Sequence, residues 1–73
     1  MYLGKEKAEE LLYSKLSTEA WISIKILQLR SGLSDQLVRI RLKSLHKEGL
    51  IHKRHISTWV GYEWKKKTVE ELQ

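Results

Sequence analysis

The stretch from Leu33 to Ile51, LSDQLVRIRLKSLHKEGLI, constrains what this 73-residue chain can fold into more than any other part of it. Ser34 is suited to begin a helix, because its hydroxyl can accept a hydrogen bond from an unpaired backbone N–H group. Three apolar residues then recur at the spacing of one helix face: Val38, Leu42 and Leu45. Gly49 can adopt the left-handed conformation that ends a helix. The sequence therefore predicts a helix over Ser34–Glu48, followed by a strand.

The opposite side of this predicted helix is strongly basic. Five residues lie on that side of the helical wheel: Gln36, Arg39, Ile40, Lys43 and Lys47. One face can therefore pack into a core, while the other presents three cations and an amide. This pattern suits contact with an anionic partner. A solvated surface is the alternative, because charged side chains usually lie outside.

Positive charge is concentrated in one part of the chain. The formal net charge is +5, and residues 34–67 hold nine Lys and Arg against three acidic residues. Such a segment predicts a polyanionic partner, which is either nucleic acid or an acidic membrane surface. No apolar run is long enough to span a membrane, and none resembles a signal peptide. We therefore expect nucleic acid and no membrane.

Several kinds of chemistry are not expected. The chain contains no cysteine, which excludes disulfides and thiolate metal sites and fits a cytosolic protein. There is no glycine-rich phosphate loop and no nucleophile paired with a base, so we expect neither an enzyme nor a cofactor. His52 and His55 would point to opposite faces of a strand, and we do not expect them to form a zinc site with His46.

The N-terminal segment, Met1–Leu16, is predicted to be a helix with one apolar stripe. The stripe consists of Ala8, Leu11, Leu12 and Leu16. Packing on the core is its simplest role, and a dimer contact is the alternative. The adjacent carboxylates of Glu9 and Glu10 are expected to face solvent.

The segment Trp21–Ile26 has two interpretations. Its isoleucines alternate as in a strand, whereas Ile24, Leu27 and Leu29 fit a helix begun by Ser23. We favour a short strand at Trp21–Ile22 and then a helix to Arg30, with one helix over residues 18–30 as the alternative. The helix ends at Ser31–Gly32, and the next begins at Ser34. Two helices joined by so tight a turn form a helix-turn-helix.

The C-terminal part is predicted to be a β-hairpin. Leu50–Ile56 forms a basic first strand, Ser57–Gly61 a loop, and Tyr62–Lys65 a second strand with alternating side chains. Thr68 and Glu71 have the spacing of a capping box. A last helical turn over residues 68–73 is therefore expected.

The order of these elements, helix, short strand, helix, turn, helix and hairpin, resembles that of the winged helix-turn-helix domains. The run Val38-x-x-x-Leu42-x-x-Leu45-x-x-x-Gly49-Leu50-Ile51 resembles their third helix and first wing strand, and Tyr62-x-Trp64 resembles the closing strand. The likeness covers roughly Leu11–Lys67 and extends to small regulators of the MarR, ArsR and LexA type and to archaeal, plasmid and viral regulators. It implies one α+β domain over residues 1–73, with a frayed or helical tail from residue 67.

The resemblance implies a DNA-binding module. Its third helix, over Ser34–Glu48, would enter the major groove of double-stranded DNA, and its hairpin wing would reach the minor groove or backbone. Base contacts are expected from Gln36, Arg39, Ile40 and Lys43. Phosphate contacts are expected from Ser34 and Lys47. Wing contacts are expected from Lys53, Arg54, His55, Thr58 and Trp59.

The residue chemistry fits these roles. Arg pairs bidentately with guanine and Gln with adenine, while Lys binds phosphate without reading sequence. Ile40 could contact a thymine methyl or be an incidental exposed residue. The basic strand residues could instead protect a sheet edge from pairing. Trp59 and Val60, at the loop tip, could insert into a groove, contact a partner or fold back on the core.

We therefore expect a cytoplasmic, nucleoid-associated transcriptional regulator, a repressor, that binds DNA as a homodimer on a pseudo-palindromic site. A protein-interaction module on the same scaffold, in a replication or regulatory complex, is one alternative, because fold does not fix function. A non-specific architectural DNA binder is another.

Overall fold

The computed structural model describes residues 4–59 and 61–73, so the predictions for Met1–Leu3 and Val60 lie outside the described residues. Within these ranges the chain is an α+β domain of four helices and one three-stranded antiparallel sheet. The elements in chain order are α1 (Lys5–Lys15), β1 (Ile22–Ser23), α2 (Ile24–Ser31), α3 (Asp35–Lys47), β2 (Ile51–Ser57), β3 (Gly61–Lys66) and α4 (Val69–Leu72).

The predicted starts of α2 and α3 are confirmed. Ser23 Oγ accepts the N–H of Ile26 at 3.4 Å, and Ser34 Oγ accepts the N–H of Leu37 at 3.2 Å. Each serine thus satisfies one of the free donors at its helix start. A short strand followed by a helix is also confirmed, although the strand is Ile22–Ser23, one residue later than the predicted Trp21–Ile22. The alternative, a single helix over residues 18–30, is wrong.

The end of α3 explains where the next strand begins. Gly49 has φ of +80°, as predicted. The N–H of Gly49 donates to the carbonyl of His46 at 3.0 Å, and the N–H of Leu50 donates to that of Leu45 at 3.2 Å. This pair of bonds is the Schellman motif. Because Leu50 is used to end the helix, β2 begins at Ile51, one residue later than expected.

The sheet places β3 between the other two strands. Its order is β1-β3-β2, and Trp64 of β3 lies opposite Ile22 on one side and Lys53 on the other. Ser57 pairs with Gly61, so the strands extend further into the expected loop than predicted. The predicted hairpin is confirmed, and the short third strand joins it through β3.

The core draws on every element except α4. It consists of Leu12, Leu16, Ile22, Leu27, Val38, Leu42, Leu45, Ile51 and Trp64. The three apolar residues predicted for α3 are all buried. Leu29 is 79% exposed, because it lies roughly 200° around α2 from the buried Leu27. Full burial of a side chain such as Leu42 contributes roughly 1.5–3 kcal/mol to stability.

One prediction for α1 is wrong. Of the predicted stripe, Ala8, Leu12 and Leu16 are buried and Leu11 is half-buried. Glu9 is buried as well, at 9% exposure. It lies about 60° from Leu12 on the helical wheel, on the side that packs against α3. Glu10 is exposed, as expected.

The C-terminal helical turn forms as predicted. The N–H of Glu71 donates to Thr68 Oγ1 at 3.3 Å, and the N–H of Thr68 donates to Glu71 Oε1 at 3.0 Å. These reciprocal bonds are the capping box. Over residues 4–59 and 61–73, none of the helices combines the length and apolar character needed to cross a bilayer.

Candidate nucleic-acid interface

The polar side of α3 is exposed along its length. The residues predicted to lie there are all exposed: Gln36, Arg39, Ile40, Lys43 and Lys47. They lie there because Val38, Leu42 and Leu45 hold the opposite side in the core. Ser34 is also exposed, at the start of the helix. The helix therefore presents ammonium, guanidinium and amide donors to the outside.

Arg39 makes one close contact on this surface. Its Nε donates to Asp35 Oδ2 at 2.8 Å, and the two side chains remain 60% and 52% exposed. The residues are four apart, so they lie on the same side of the helix. Sequence reasoning overlooked Asp35, although this spacing from Arg39 could have indicated the pair.

A shallow depression joins α3 to the loop between β2 and β3. Asp35 and Arg39 line it from α3, and Thr58, Trp59 and Tyr62 line it from the hairpin. Trp59 is 96% exposed, so it does not fold back on the core. The first turn of α3 and the hairpin loop therefore belong to one surface.

The same depression contains two residues that sequence reasoning missed. Lys25 and Gln28 line it from α2. The sequence analysis predicted contacts only from the second helix of the helix-turn-helix and from the hairpin, so it named no site residue on α2. Lys25 is exposed and Gln28 is half-buried, and the polar character of both residues on a largely apolar helix was the signal available.

A second depression lies on the other side of α3, toward α1. It is lined by Lys5, Ile40, Lys43, Ser44, Lys47 and Glu48. Lys5 thus adds a third lysine beside the exposed face of α3. Only the packing of α1 on α3 brings it there, since Lys5 is far from this helix in sequence.

One face of the hairpin carries aromatic rings beside basic side chains. Lys53 is paired with Trp64 and His55 with Tyr62 across the two strands, and directly opposed residues share a face. Lys53 Nζ lies 4.2 Å from the centre of the Tyr62 ring. The buried Trp64 faces His46 of α3, with ring centres 6.1 Å apart. Lys53 and His55 therefore lie on the sheet face that turns toward α3.

Arg54 lies on the opposite face of the sheet. Its Nε and Nη2 both donate to Glu63 Oε1, at 3.0 and 2.7 Å. Its guanidinium carbon lies 4.5 Å from the centre of the Trp21 ring. Successive side chains of a strand point to opposite faces of the sheet, so Arg54 points away from the face that carries Lys53 and His55. The predicted wing residues are thus divided: Lys53, His55, Thr58 and Trp59 are on the side of α3, and Arg54 is not.

The outer sheet face is also where α4 is attached. His52 Nε2 lies 2.5 Å from Glu71 Oε2. The pKa of Glu71 is below its ordinary value, mainly because its carboxylate accepts the backbone N–H of Thr68, with a further contribution from His52. This pair connects the tail to β2, away from the exposed face of α3.

The three histidines lie in different places on the domain. Each lies near a different aromatic ring: His46 near Trp64, His52 near Trp21, and His55 near Tyr62. In the part of the chain that the structure describes, no group of three or more His, Asp or Glu side chains is arranged to hold a metal ion.

The surface built from α3, the hairpin loop and Lys5 combines point charges, a guanidinium, an amide and an exposed indole. Ammonium and guanidinium groups bind phosphate oxygens, and guanidinium and amide groups also fit base edges. No protein-family model matches the chain, and no curated protein is found that resembles it.

Proposed function

We propose that this chain is a winged helix-turn-helix DNA-binding domain and acts as a transcriptional regulator, a repressor. The order α1, β1, α2, α3, β2, β3 supports the resemblance read from the sequence. So does the tight turn of residues 32–34 between α2 and α3, where Gly32 has φ of +74°. In this proposal α3 enters the major groove, which is wide enough for a helix, and the hairpin is the wing.

One observation carries the proposal. Arg39 of α3 and both Thr58 and Trp59 of the hairpin loop line the same depression. A duplex presents a groove and its flanking phosphates side by side, so a protein that reads it needs a helix and a second element on one surface. A cationic helix with its hairpin on the far side of the domain would lack that surface.

The contacts are proposed as follows. Gln36, Arg39, Ile40 and Lys43 face base edges. Ser34 and Lys47 contact phosphates, and Lys5 joins them from α1. Lys53, His55, Thr58 and Trp59 serve the wing. Arg54, which is bonded to Glu63 and stacked on Trp21, stabilises the hairpin from its outer face.

A homodimer on a pseudo-palindromic site is part of the proposal. A single module of this size makes few base contacts, and two copies on half-sites about one helical turn apart double them. Apolar positions that remain exposed on α4, Val69 at 73% and Leu72 at 42%, are available for such a contact. Selection from random duplex DNA tests both specificity and symmetry, because a dimer yields two half-sites.

The Arg39→Ala/Lys43→Ala double variant tests the role of α3. Its binding to the selected duplex should weaken roughly 30- to 100-fold, since one bidentate Arg contact is worth about 1–3 kcal/mol. Lys7→Ala/Lys65→Ala is the matched control, because it removes the same charge from residues that line neither depression. Equal losses in the two variants, or no DNA binding by folded wild-type protein at low salt, would refute the proposal.

A protein-interaction module is the second candidate, and Trp59 is the observation that favours it. Tryptophan is highly buried on average, whereas Trp59 is 96% exposed. Here the Arg39→Ala/Lys43→Ala variant should retain its protein partner. A non-specific architectural binder would instead show the same affinity and the same salt dependence with every duplex.

A further inference from the structure

We infer that Asp35 is a positioning residue that holds Arg39 ready to recognise a guanine, and that it thereby sets base preference at one position of the site. This inference rests on the DNA-binding function proposed above. It assigns a role to an acidic residue on a surface that otherwise attracts phosphates. Its basis is the bond from Arg39 Nε to Asp35 Oδ2, 2.8 Å long, on the first turn of α3.

The bond to Asp35 uses the Nε donor of Arg39 and leaves its Nη donors available for DNA. With Nε occupied by Asp35, the guanidinium still has both Nη groups, which can donate side by side. Guanine presents two acceptors, O6 and N7, on its major-groove edge. The pair therefore restricts the direction of the side chain while keeping the two donors that bidentate recognition requires.

Arg54 provides an internal comparison. Its Nε and Nη2 are both bonded to Glu63 Oε1, and its guanidinium is stacked on Trp21. The guanidinium edge formed by Nε and Nη2 is therefore already hydrogen-bonded within the protein, as expected for an arginine with a structural role. Arg39 has a single bond to its carboxylate and no ring stacked on it among the described residues. Arg39 and Arg54 are therefore held in ways that suit different uses.

The exposure of the Asp35–Arg39 pair limits what the ion pair can contribute to stability. Both side chains are more than half exposed, and exposed pairs four residues apart contribute little to folding. In complex with DNA the pair would be covered, and an arginine that is already oriented loses less conformational freedom on binding. Holding Arg39 in one direction thus contributes more to the affinity of the complex than to the stability of the free protein.

The negative charge of Asp35 should itself weaken DNA binding, and this makes its role measurable. It lines the depression shared with Thr58 and Trp59, where phosphates would approach, so its charge opposes binding to any duplex. Removing it should raise non-specific affinity and lower discrimination at the same time. If the Asp35 carboxylate only repelled DNA, removing it would raise non-specific affinity and leave discrimination between bases unchanged.

The experiment uses the full chain and measures anisotropy with three duplexes: the selected site, the same site with the guanine pair replaced, and an unrelated sequence. A bidentate contact discriminates roughly 5- to 150-fold between bases. With Asp35→Ala, discrimination at that pair should fall about fivefold or more, while affinity for the unrelated duplex rises roughly two- to fivefold.

Three further variants separate orientation from charge. Asp35→Asn keeps an oxygen that can accept from Nε, so it should retain most of the discrimination while raising non-specific affinity. Glu48→Ala removes an acid at the other end of α3, so it should raise non-specific affinity without changing discrimination. In an Arg39→Lys background, Asp35→Ala should change discrimination no further. Circular dichroism should show every variant folded.

The outcomes distinguish this inference from the proposed function. If the wild-type protein selects a site and Asp35→Ala discriminates as well as wild type does, the positioning role is wrong and DNA binding stands. Loss of discrimination in Asp35→Asn as large as in Asp35→Ala would likewise overturn it. If folded wild-type protein binds no duplex, the function and the inference fail together.

Discussion

Arg41 Nη1 of α3 lies 3.6 Å from Glu9 Oε2 of α1, and these side chains are only 18% and 11% exposed. Ser44 Oγ lies 3.4 Å from the other oxygen of the same carboxylate. The contact joins the N-terminal helix to the helix that carries the candidate interface. It restricts how α3 can rotate on the core and so helps to direct Arg39 and Lys43 outward.

Replacing Glu9 should destabilise the fold. Glu9→Ala leaves the half-buried Arg41 without its carboxylate, and Arg41 Nε is already buried without a hydrogen-bond partner among residues 4–59 and 61–73. We expect a loss of about 1–3 kcal/mol in the free energy of unfolding, measured by urea denaturation. Glu10→Ala, on the exposed side of the same helix, should stay within about 0.5 kcal/mol of wild type. Equal effects of the two variants would contradict the burial of Glu9.

The two tryptophans of the hairpin should behave in opposite ways. Trp64 is 5% exposed in the core and Trp59 is 96% exposed at the loop. Trp64→Ala should lower the free energy of unfolding by about 3–5 kcal/mol, whereas Trp59→Ala should change it by less than about 0.5 kcal/mol. Denaturation curves give both values. Trp59→Ala should nevertheless weaken DNA binding, and unchanged affinity would remove Trp59 from the proposed wing.

Lys5 and Lys47 should act as phosphate contacts. Lys5→Ala and Lys47→Ala should each weaken binding by a similar factor for every duplex sequence, since phosphates carry no sequence information. Each should also reduce the slope of log affinity against log salt by about one. Titrations at several salt concentrations measure the slope. Lys7→Ala is the control for Lys5, and a comparable change in its slope would indicate a general charge effect.

The attachment of α4 to β2 should weaken at acid pH. The folded-state pKa of Glu71 is depressed, mainly by the Thr68 backbone N–H and further by His52. A depressed carboxyl pKa contributes stability that is present above the unfolded value of about 4.3 and lost as the pH falls through the folded value. Protection of the α4 amides from hydrogen exchange should therefore decrease on acidification below that range.

Glu71→Gln should remove this pH dependence, because an amide does not titrate there. Glu70→Gln, one residue earlier, is the control and should retain it. Direct observation of the Glu71 carboxyl by ¹³C NMR gives its pKa. A value at or above the ordinary one would show that the capping contacts do not hold the charged form.

The local elements could be predicted because their causes lie within a few residues. Ser23 and Ser34 begin helices through bonds to residues three positions later, and the Thr68–Glu71 capping box follows from the same spacing. Val38, Leu42 and Leu45 are buried because a helix has one side to bury. Where a boundary shifted, as at Leu50, a competing local bond was the reason.

The sequence by itself thus determined the helices, the hairpin, the core stripe of α3 and the basic character of the opposite side. Only the tertiary structure decided that Glu9 is buried beside Arg41, that Lys5 joins the surface of α3, and that Arg54 lies on the outer sheet face. These positions depend on which distant element covers a side chain. Periodicity gives the direction of a side chain within its own element, whereas packing between elements decides what that side chain meets.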